Sequence, residues 1–250
     1  MLYQTIKLYL CRTLPKERPV MSELINNFFS LFYPEVCPSC GNLLNKGEET
    51  VCLSCRFLMP RTGYETIPDN PLARMFWGRI RLNAVSACYF FAKKGRVQPL
   101  IHELKYKNNR AAGYFLGKEM AKEIKQSTFF EGVDYIVPVP LHPKKIRVRG
   151  YNQSEVIASG MREVMKIPII TDNLMRAVAT ASQTKKSREA RWQNVKDIFV
   201  LNRPYLFIGK HILLIDDVIT TGSTIEACGN ALLMTPGIKV SVAAAACAPG

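Results

Sequence analysis

The stretch that most constrains the fold runs from Ile212 to Thr224, where a short apolar segment leads into a loop of small polar residues. Its first four residues are apolar with polar neighbours, which is typical of a strand buried on both faces of a parallel sheet. The apolar spacing of Ile225–Met234 predicts a helix behind the loop. A strand, a small-residue loop and a helix form a geometry that holds phosphate, because backbone N–H groups and the helix N-terminus point at the anion.

The residues around this loop divide into two chemical groups. Gly222 lets the backbone turn and approach a ligand closely. The hydroxyl groups beside it add hydrogen-bond donors, and they belong to Thr220, Thr221, Ser223 and Thr224. Asp216 and Asp217 would repel a bare phosphate, so we expect them to face vicinal sugar hydroxyls or a magnesium ion, as in a ribose 5-phosphate complex. The alternative is a strand end followed by a solvated acidic turn.

The stretch Ile212–Thr224 resembles, at every position including Val218, the phosphoribosyl diphosphate (PRPP) binding motif of type I phosphoribosyltransferases. The resemblance implies that Asp216 and Asp217 bind the ribose hydroxyls and that residues 220–224 surround the 5-phosphate. Purine-salvage members of that fold carry an aspartate where this chain has Thr220, and it handles the proton on the base. Its absence here, as in orotate-type relatives, means that the motif predicts PRPP binding more strongly than any particular transfer.

The charge of the chain indicates an anionic partner. With 250 residues, 48% of them hydrophobic and 22% charged, the chain is long enough to bury a sizeable core and has the composition of a soluble globular protein. Its formal charge of +14 is unusual and favours polyphosphate, nucleic acid or a membrane surface as partner. The alternative is a basic surface without a specific partner. No apolar run approaches the roughly 18 residues that a membrane span needs.

The N-terminal residues fit the rest of the chain poorly. Residues 1–20 are basic, contain two prolines and lack a signal-peptide cleavage site, so we interpret them as a disordered leader or as an artefact of start assignment, with Met21 as the alternative start. Ser22 can cap a helix whose apolar face includes Phe28 and Phe32. That helix is expected to pack on the body of the protein, the alternative being a membrane or a partner.

Two C-x2-C pairs follow, at Cys37/Cys40 and at Cys52/Cys55. Four thiolates presented by two tight turns form a tetrahedral zinc site without an open position, so the metal is predicted to be structural. Gly41 permits the positive φ that such a turn often uses. Disulfides and an iron–sulfur cluster are the alternatives. Residues 21–60 are therefore assigned to a helix plus a zinc-ribbon-like module, residues 61–83 to a connector, and residues 84–250 to the main domain.

The main domain begins with alternating strand and helix patterns. A strand is predicted at Val85–Phe91, and helices at Val97–Tyr106 and Ala112–Ile124. Lys105 lies in a basic cluster at the end of the first helix, where complementing the helix dipole is the default interpretation. A further strand, Val133–Val139, ends in a proline-rich loop that resembles the pyrophosphate loop of the phosphoribosyltransferase fold. The residues assigned to that loop are Val137, Pro138, Val139 and Pro140.

Two basic segments follow that loop. The first, Lys144–Gln153, is interpreted as a mobile arm, and its Arg147 and Arg149, together with Lys105, are candidate catalytic residues that stabilise a departing diphosphate. A solvated loop is the alternative. The second segment joins cations to an exposed aromatic residue, which favours stacking on single-stranded bases, although part of it also fits an ordinary amphipathic helix. Its nucleic-acid candidates are Lys185, Lys186, Arg188, Arg191 and Trp192.

The order of motifs over residues 21–250 resembles that of the ComF/ComFC family: two cysteine pairs, the proline-rich loop, Arg149–Gln153 and the PRPP motif. The resemblance implies an α/β fold: a Rossmann-like, type I phosphoribosyltransferase parallel sheet flanked by helices and preceded by a small zinc module. It also implies a cytoplasmic bacterial protein with structural Zn²⁺, Mg²⁺ bound together with PRPP, and in some members a role with single-stranded DNA and the competence machinery. Two hypotheses remain: a phosphoribosyltransferase, or a non-catalytic protein that binds PRPP, a nucleotide or single-stranded DNA. The acceptor and the oligomeric state stay open.

Overall fold

The computed structural model describes residues 34–176 and 199–248. Within these ranges, four strands form a parallel sheet in the order β1-β6-β5-β2, and a separate antiparallel pair is formed by β3 and β4. The strands are β1 (Val85–Phe90), β2 (Tyr135–Pro138), β3 (Leu174–Arg176), β4 (Phe199–Leu201), β5 (His211–Ile219) and β6 (Lys239–Cys247). The helices are α1 (Leu53–Leu58), α2 (Pro71–Arg74), α3 (Val97–Tyr106), α4 (Arg110–Ile124), α5 (Pro143–Arg149), α6 (Gln153–Met165) and α7 (Ser223–Leu233).

The two central strands, β5 and β6, are buried along most of their length, as an all-parallel sheet requires. Alternate residues of β5 contribute to two separate cores: Leu213 packs with α3, α4 and α6 on one face, and Leu214 packs with α7 on the other. The fold is therefore a three-layer α/β sheet flanked by helices, which confirms the predicted fold class.

The α4–α6 contact depends on close backbone approach. A Cβ on Gly117 would lie 2.0 Å from the carbonyl oxygen of Ile157, and one on Gly160 would lie 2.2 Å from that of Tyr114. Each helix therefore places a glycine against the backbone of the other. This contact fixes α6, whose N-terminal residues border the strand ends, against the sheet.

The segment between the cysteines and β1, predicted to be a connector, contributes to the core of the main domain. It contains α2, and Leu72 and Phe76 are buried against the face of the sheet that also packs α7. Asn70, only 1% exposed, caps α2 and also donates a hydrogen bond to the carbonyl of Val85 in β1. Trp77, in the same segment, is 61% exposed. The boundaries at residues 61–83 stay a prediction.

Two local predictions were wrong. The segment Lys144–Gln153, predicted as a mobile arm, is largely helical: its residues 144–149 lie in α5, which begins at Pro143 and is capped by His142, and Gln153 begins α6. Proline is well suited to the first turn of a helix, so the same residue that suggested a loop starts this helix. In addition, β5 does not end before the aspartates but continues to Ile219, because β6 pairs with it as far as Ile219 and Cys247.

Several expectations lie outside the described residues. These are the leader, the helix proposed after Ser22, and the second basic segment with all five of its nucleic-acid candidates. Within the described ranges, every helix is too short or too polar to cross a bilayer.

Candidate functional site

The strand-end cleft, a cavity of about 180 Å³, lies at the carboxyl ends of β2 and β5. Ligands of open α/β sheets bind at this edge. Residues from six elements and their loops line it: Lys105, Val139, Pro140, Leu141, Lys145, Arg149, Asn152, Gln153, Ser154, Arg176, Asp216, Asp217, Val218 and Thr224. A smaller cavity adjoins it and shares Asp216, Val218 and Thr224 with it.

The smaller cavity is formed by the candidate phosphate loop, residues 220–224, and the first turn of α7. Gly222 is the N-cap of α7 and has φ of +73°, a left-handed conformation that favours glycine. The hydroxyls of Thr221 and Ser223 lie 3.0 Å apart, and both side chains are exposed. The structure therefore has the predicted arrangement of a strand, a glycine turn and a helix N-terminus, with hydroxyl groups beside it.

The two aspartates of β5 lie in different environments. Asp217 forms an ion pair with Lys105, with 2.8 Å between Lys105 Nζ and Asp217 Oδ1. Asp216 accepts hydrogen bonds from the backbone N–H of Asp217 at 2.8 Å and from the Ser154 hydroxyl at 3.4 Å. Burial, reinforced by the neighbouring charge of Asp217, raises the pKa of Asp216 to about 7. One acid of the pair thus has a cation partner, while the other is buried and has a raised pKa.

Cations surround these acids on the other walls of the cleft. Lys145 and Arg149 come from α5, and Arg176 comes from β3. Arg149 donates to the side-chain oxygen of Gln153 at 2.9 Å, and its guanidinium lies 5.4 Å from the ring centre of Tyr106. The cleft therefore has two acids at the end of β5 and cations on its other walls. This arrangement suits a ligand whose hydroxyl groups face the acids and whose phosphates face the cations.

Only some of the other predicted site residues line the strand-end cleft. Val139 and Pro140 line the cleft, whereas Val137 and Pro138 lie in β2 and are buried. Arg147 is exposed on α5 and does not line the cleft.

Six lining residues were not predicted as site residues: Leu141, Lys145, Asn152, Gln153, Ser154 and Arg176. Lys145 and Asn152 belong to the first basic segment, Lys144–Gln153, whose run of cations and polar residues is a usable signal. Asn152 caps α6 and also donates to the carbonyl of Val139 at 3.0 Å, which joins the proline-rich loop to that helix. No local pattern marks Ser154 or Arg176.

The four predicted metal ligands converge. The sulfur atoms of Cys37, Cys40, Cys52 and Cys55 all lie within 4.8 Å of one another. Tetrahedral zinc with Zn–S bonds of about 2.3 Å needs sulfurs about 3.8 Å apart, and the Cys40–Cys52 sulfur distance is 3.7 Å. Gly41 has φ of +78°, as the turn after the first pair requires. The cluster therefore fits a four-coordinate metal.

Hydrogen bonds and ion pairs attach this module to the main domain. The guanidinium of Arg96 donates to the Cys55 sulfur at 3.1 Å. On the opposite side of the module, Arg56 pairs with Glu119 of α4 at 2.8 Å, and Arg61 pairs with the same carboxylate at 2.7 Å. Burial acts to raise the pKa of the Cys55 thiol, but hydrogen bonds from Ser39, its cysteine neighbours and Arg96 lower it to about 7.

A second cleft, of about 220 Å³, separates the cysteine module from α4. Two of its acids have partners: Glu119 binds Arg56 and also Lys122 at 2.7 Å, and Glu48 accepts from the backbone of Leu53.

The fold and the two sites define the class of protein: an α/β protein with a parallel sheet between two helical layers, a candidate phosphate loop after an acidic strand end, and a candidate metal module. Solved structures similar to it include the glutamine PRPP amidotransferase from B. subtilis complexed with ADP and GMP, at 20% identity, TM-score 0.42, and coverage of 58% of this chain and 30% of that one. A Trypanosoma cruzi hypoxanthine phosphoribosyltransferase is 12% identical at TM-score 0.35, covering 55% and 74% of the two chains. Because these scores are low, the fold is defined by the chain's own topology.

The relatives by sequence are more specific. The chain is 31% identical over 149 residues to DNA utilization protein YhgH of Escherichia coli K12, covering 58% of this chain and 65% of that protein. It is 34% identical over 102 residues to competence protein F of Haemophilus influenzae, covering 39% and 43%. No protein-family model matches. The chain is thus homologous to DNA utilization and competence proteins, as the ComF resemblance predicted, and spans less than two thirds of either relative.

Proposed function

We propose that the strand-end cleft binds PRPP together with magnesium and that the protein is a phosphoribosyltransferase of the ComF type. One observation supports this more than any other: the two cavities share Asp216, Val218 and Thr224 in their walls, so a hydroxyl-lined glycine turn and an acidic strand end lie side by side. A ribose 5-phosphate has its phosphate and its vicinal hydroxyls on opposite sides of one small ring. The proposal assigns the phosphate to residues 220–224 and the hydroxyls to Asp216 and Asp217.

The cations of the cleft are assigned to the diphosphate. Arg149 and Lys145 lie on the wall formed by α5, opposite the acids of β5, and Lys105 is available once its ion pair with Asp217 opens. In the transfer, a nitrogen of the acceptor forms a bond to C1 of the ribose, and the C1–O bond breaks with its electron pair leaving on diphosphate. A neutral acceptor then loses its proton to solvent. Magnesium, when bound, screens the negative charge that accumulates on the leaving group.

Binding and catalysis are tested separately. Titration of PRPP in the presence of magnesium is expected to give heat with the wild type and at least tenfold weaker binding with Asp217→Asn. Asp172→Asn is the matched control, since that acid is exposed and pairs with Arg203 outside the cleft. Diphosphate release is then followed with purines, pyrimidines and small amines as acceptors. PRPP binding without release for any acceptor would support a non-catalytic sensor, and no binding at millimolar PRPP would refute the proposal.

The cysteine cluster is proposed to hold structural zinc, as its donor set and sulfur spacing favour. Metal analysis of protein purified without chelator is expected to give one zinc per chain. Loss of metal in Cys55→Ser but not in Cys228→Ala is the expected control result, because Cys228 is buried away from the cluster. A stoichiometry near zero, or visible absorption from an iron–sulfur cluster, would refute zinc.

Single-stranded DNA is a second candidate ligand, and competence machinery a corresponding partner. Tyr106 is 67% exposed, its ring centre lies 4.9 Å from that of His102, and the Arg149 guanidinium lies 5.4 Å from it. An exposed aromatic ring beside a guanidinium is a surface on which a base can stack. Binding of a labelled oligonucleotide is expected to weaken with salt and with Tyr106→Ala, and Tyr205→Ala serves as an exposed aromatic control. Equal binding by both variants would remove this surface as the DNA site. By this proposal the protein acts in the cytoplasm.

A further inference from the structure

Residues 71–80, which precede β1, pass directly beneath the candidate phosphate loop. Phe76 is 1% exposed, and a Cβ on Gly222 would lie 2.7 Å from its ring and 3.2 Å from the sulfur of Met75. The loop therefore rests on this segment without an intervening layer. Although the segment lies more than 140 residues before the loop in sequence, it forms the support on which the glycine turn is built.

Arg79 makes the polar contacts between the segment and the loop. Its Nη1 donates to the carbonyl of Thr221 at 3.1 Å and to that of Met75 at 3.3 Å. Its Nε donates to Glu226 in the first turn of α7 at 3.0 Å, and Nη2 donates to the same carboxylate oxygen. One guanidinium thus binds the loop, the helix behind it and the supporting segment.

We infer that Arg79 is a positioning residue for the candidate phosphate loop, an assignment that rests on the proposed function. In a trans peptide the C=O and the next N–H point in opposite directions. By holding the Thr221 carbonyl, Arg79 therefore directs the Gly222 N–H away from the supporting segment. Arg79 itself lines neither cavity of the site, so it acts through the loop and does not touch the ligand.

The test measures ribose 5-phosphate binding by titration calorimetry in three variants. Arg79→Gln is expected to weaken binding about tenfold, the change that about 1.4 kcal/mol gives. Arg79→Lys keeps the charge but lacks the planar guanidinium that donates to several acceptors at once, so it is expected to restore only part of the affinity. Arg81→Gln is the matched control, because Arg81 is exposed and forms no hydrogen bond or ion pair within the described part of the chain.

Glu226→Gln separates positioning from simple charge. Removing a negative charge near the loop would strengthen anion binding if only the net charge mattered, whereas loss of the ion pair that holds Arg79 is expected to weaken it. Hydrogen–deuterium exchange without ligand gives an independent result: faster exchange at residues 221–224 in Arg79→Gln than in Arg81→Gln.

The outcomes distinguish the two proposals. If the wild type binds no ribose 5-phosphate, the proposed function fails and the inference fails with it. If the wild type binds but Arg79→Gln behaves as Arg81→Gln does in both measurements, the inference alone is wrong. Tighter binding by Glu226→Gln, or full recovery by Arg79→Lys, would also overturn it in favour of a purely electrostatic role.

Discussion

Lys105 of α3 places its ammonium 2.8 Å from the carboxylate of Asp217 in β5, across the mouth of the strand-end cleft. Both side chains are largely covered, with 21% and 14% of their surface exposed. Lys105 therefore balances the charge of Asp217, an acid that is proposed to hold the ribose. A ligand that engages Asp217 has to compete with Lys105 or release it towards the diphosphate.

Replacing Lys105 by Met is expected to weaken PRPP binding about tenfold, equivalent to about 1.4 kcal/mol. Lys105 lowers the pKa of Asp216 electrostatically, so without it Asp216 is harder to ionise, and Asp217 loses its cation partner. Titration calorimetry measures the change. Lys107→Met is the control, because Lys107 pairs with Glu103 on the same helix and is 61% exposed. Equal affinities for the two variants would show that the Lys105–Asp217 pair has no part in binding.

Gly222→Ala is expected to destabilise the protein by more than the strain of a left-handed residue alone, which is about 1–2 kcal/mol. The new Cβ would collide with Phe76 at 2.7 Å. Gly132→Ala isolates the strain, because Gly132 has φ of +72° and an added Cβ meets no atom within 4 Å. Urea unfolding of both variants gives the comparison. A cost for Gly222→Ala no larger than that for Gly132→Ala would contradict the tight packing.

The raised pKa of Asp216, about 7, predicts a specific pH dependence. The folded protein holds this proton more tightly than the unfolded chain, whose aspartate titrates near 4, so the folded state loses stability as pH rises through 7. Between pH 6 and 8 the loss is about 1 kcal/mol. Urea unfolding without magnesium is expected to show this slope in the wild type and a smaller one in Asp216→Asn. Identical slopes would mean that Asp216 is already ionised at pH 6.

Glu119→Gln is expected to destabilise the protein by about 1–3 kcal/mol, a range that allows for the partial exposure of its partners. The carboxylate is 2% exposed and binds Arg56, Arg61 and Lys122, so its loss leaves three cations beside a buried amide. Glu163→Gln is the control, since Glu163 is 43% exposed and pairs with Lys118 at 3.1 Å. Thermal unfolding that is unchanged in both variants would show that these ion pairs do not anchor the cysteine module.

Removal of metal from the cysteine cluster is expected to release four reactive thiols and to lower the unfolding temperature. The module has little core of its own, so metal binding contributes directly to its folding. Thiol titration with and without a strong chelator measures the first effect, and a thermal melt measures the second. The buried Cys88, Cys228 and Cys247 are expected to stay unreactive in the folded main domain, which gives an internal control. Full thiol reactivity before chelation would argue against a bound metal.

The sequence by itself determined the features whose signals lie within a short stretch of chain. The helix at Val97–Tyr106 was predicted with its observed limits, since its apolar period and its ends are local. Each cysteine pair was predictable as a pair of ligands because the spacing within it is local, and the four sulfur atoms do converge. The glycine turn before α7 was likewise predictable, because a positive φ and a helix start are properties of adjacent residues.

Only the tertiary structure decided which distant residues meet. Lys105 reaches Asp217, Ser154 reaches Asp216, and Arg79 reaches Thr221, although none of these pairs is close in sequence. The continuation of β5 through its aspartates was also hidden, because pairing with β6, not local polarity, keeps those residues extended. Sequence patterns report local conformation, whereas contacts between elements depend on how the sheet and its two helical layers pack, and at the strand ends that packing brings the candidate site together.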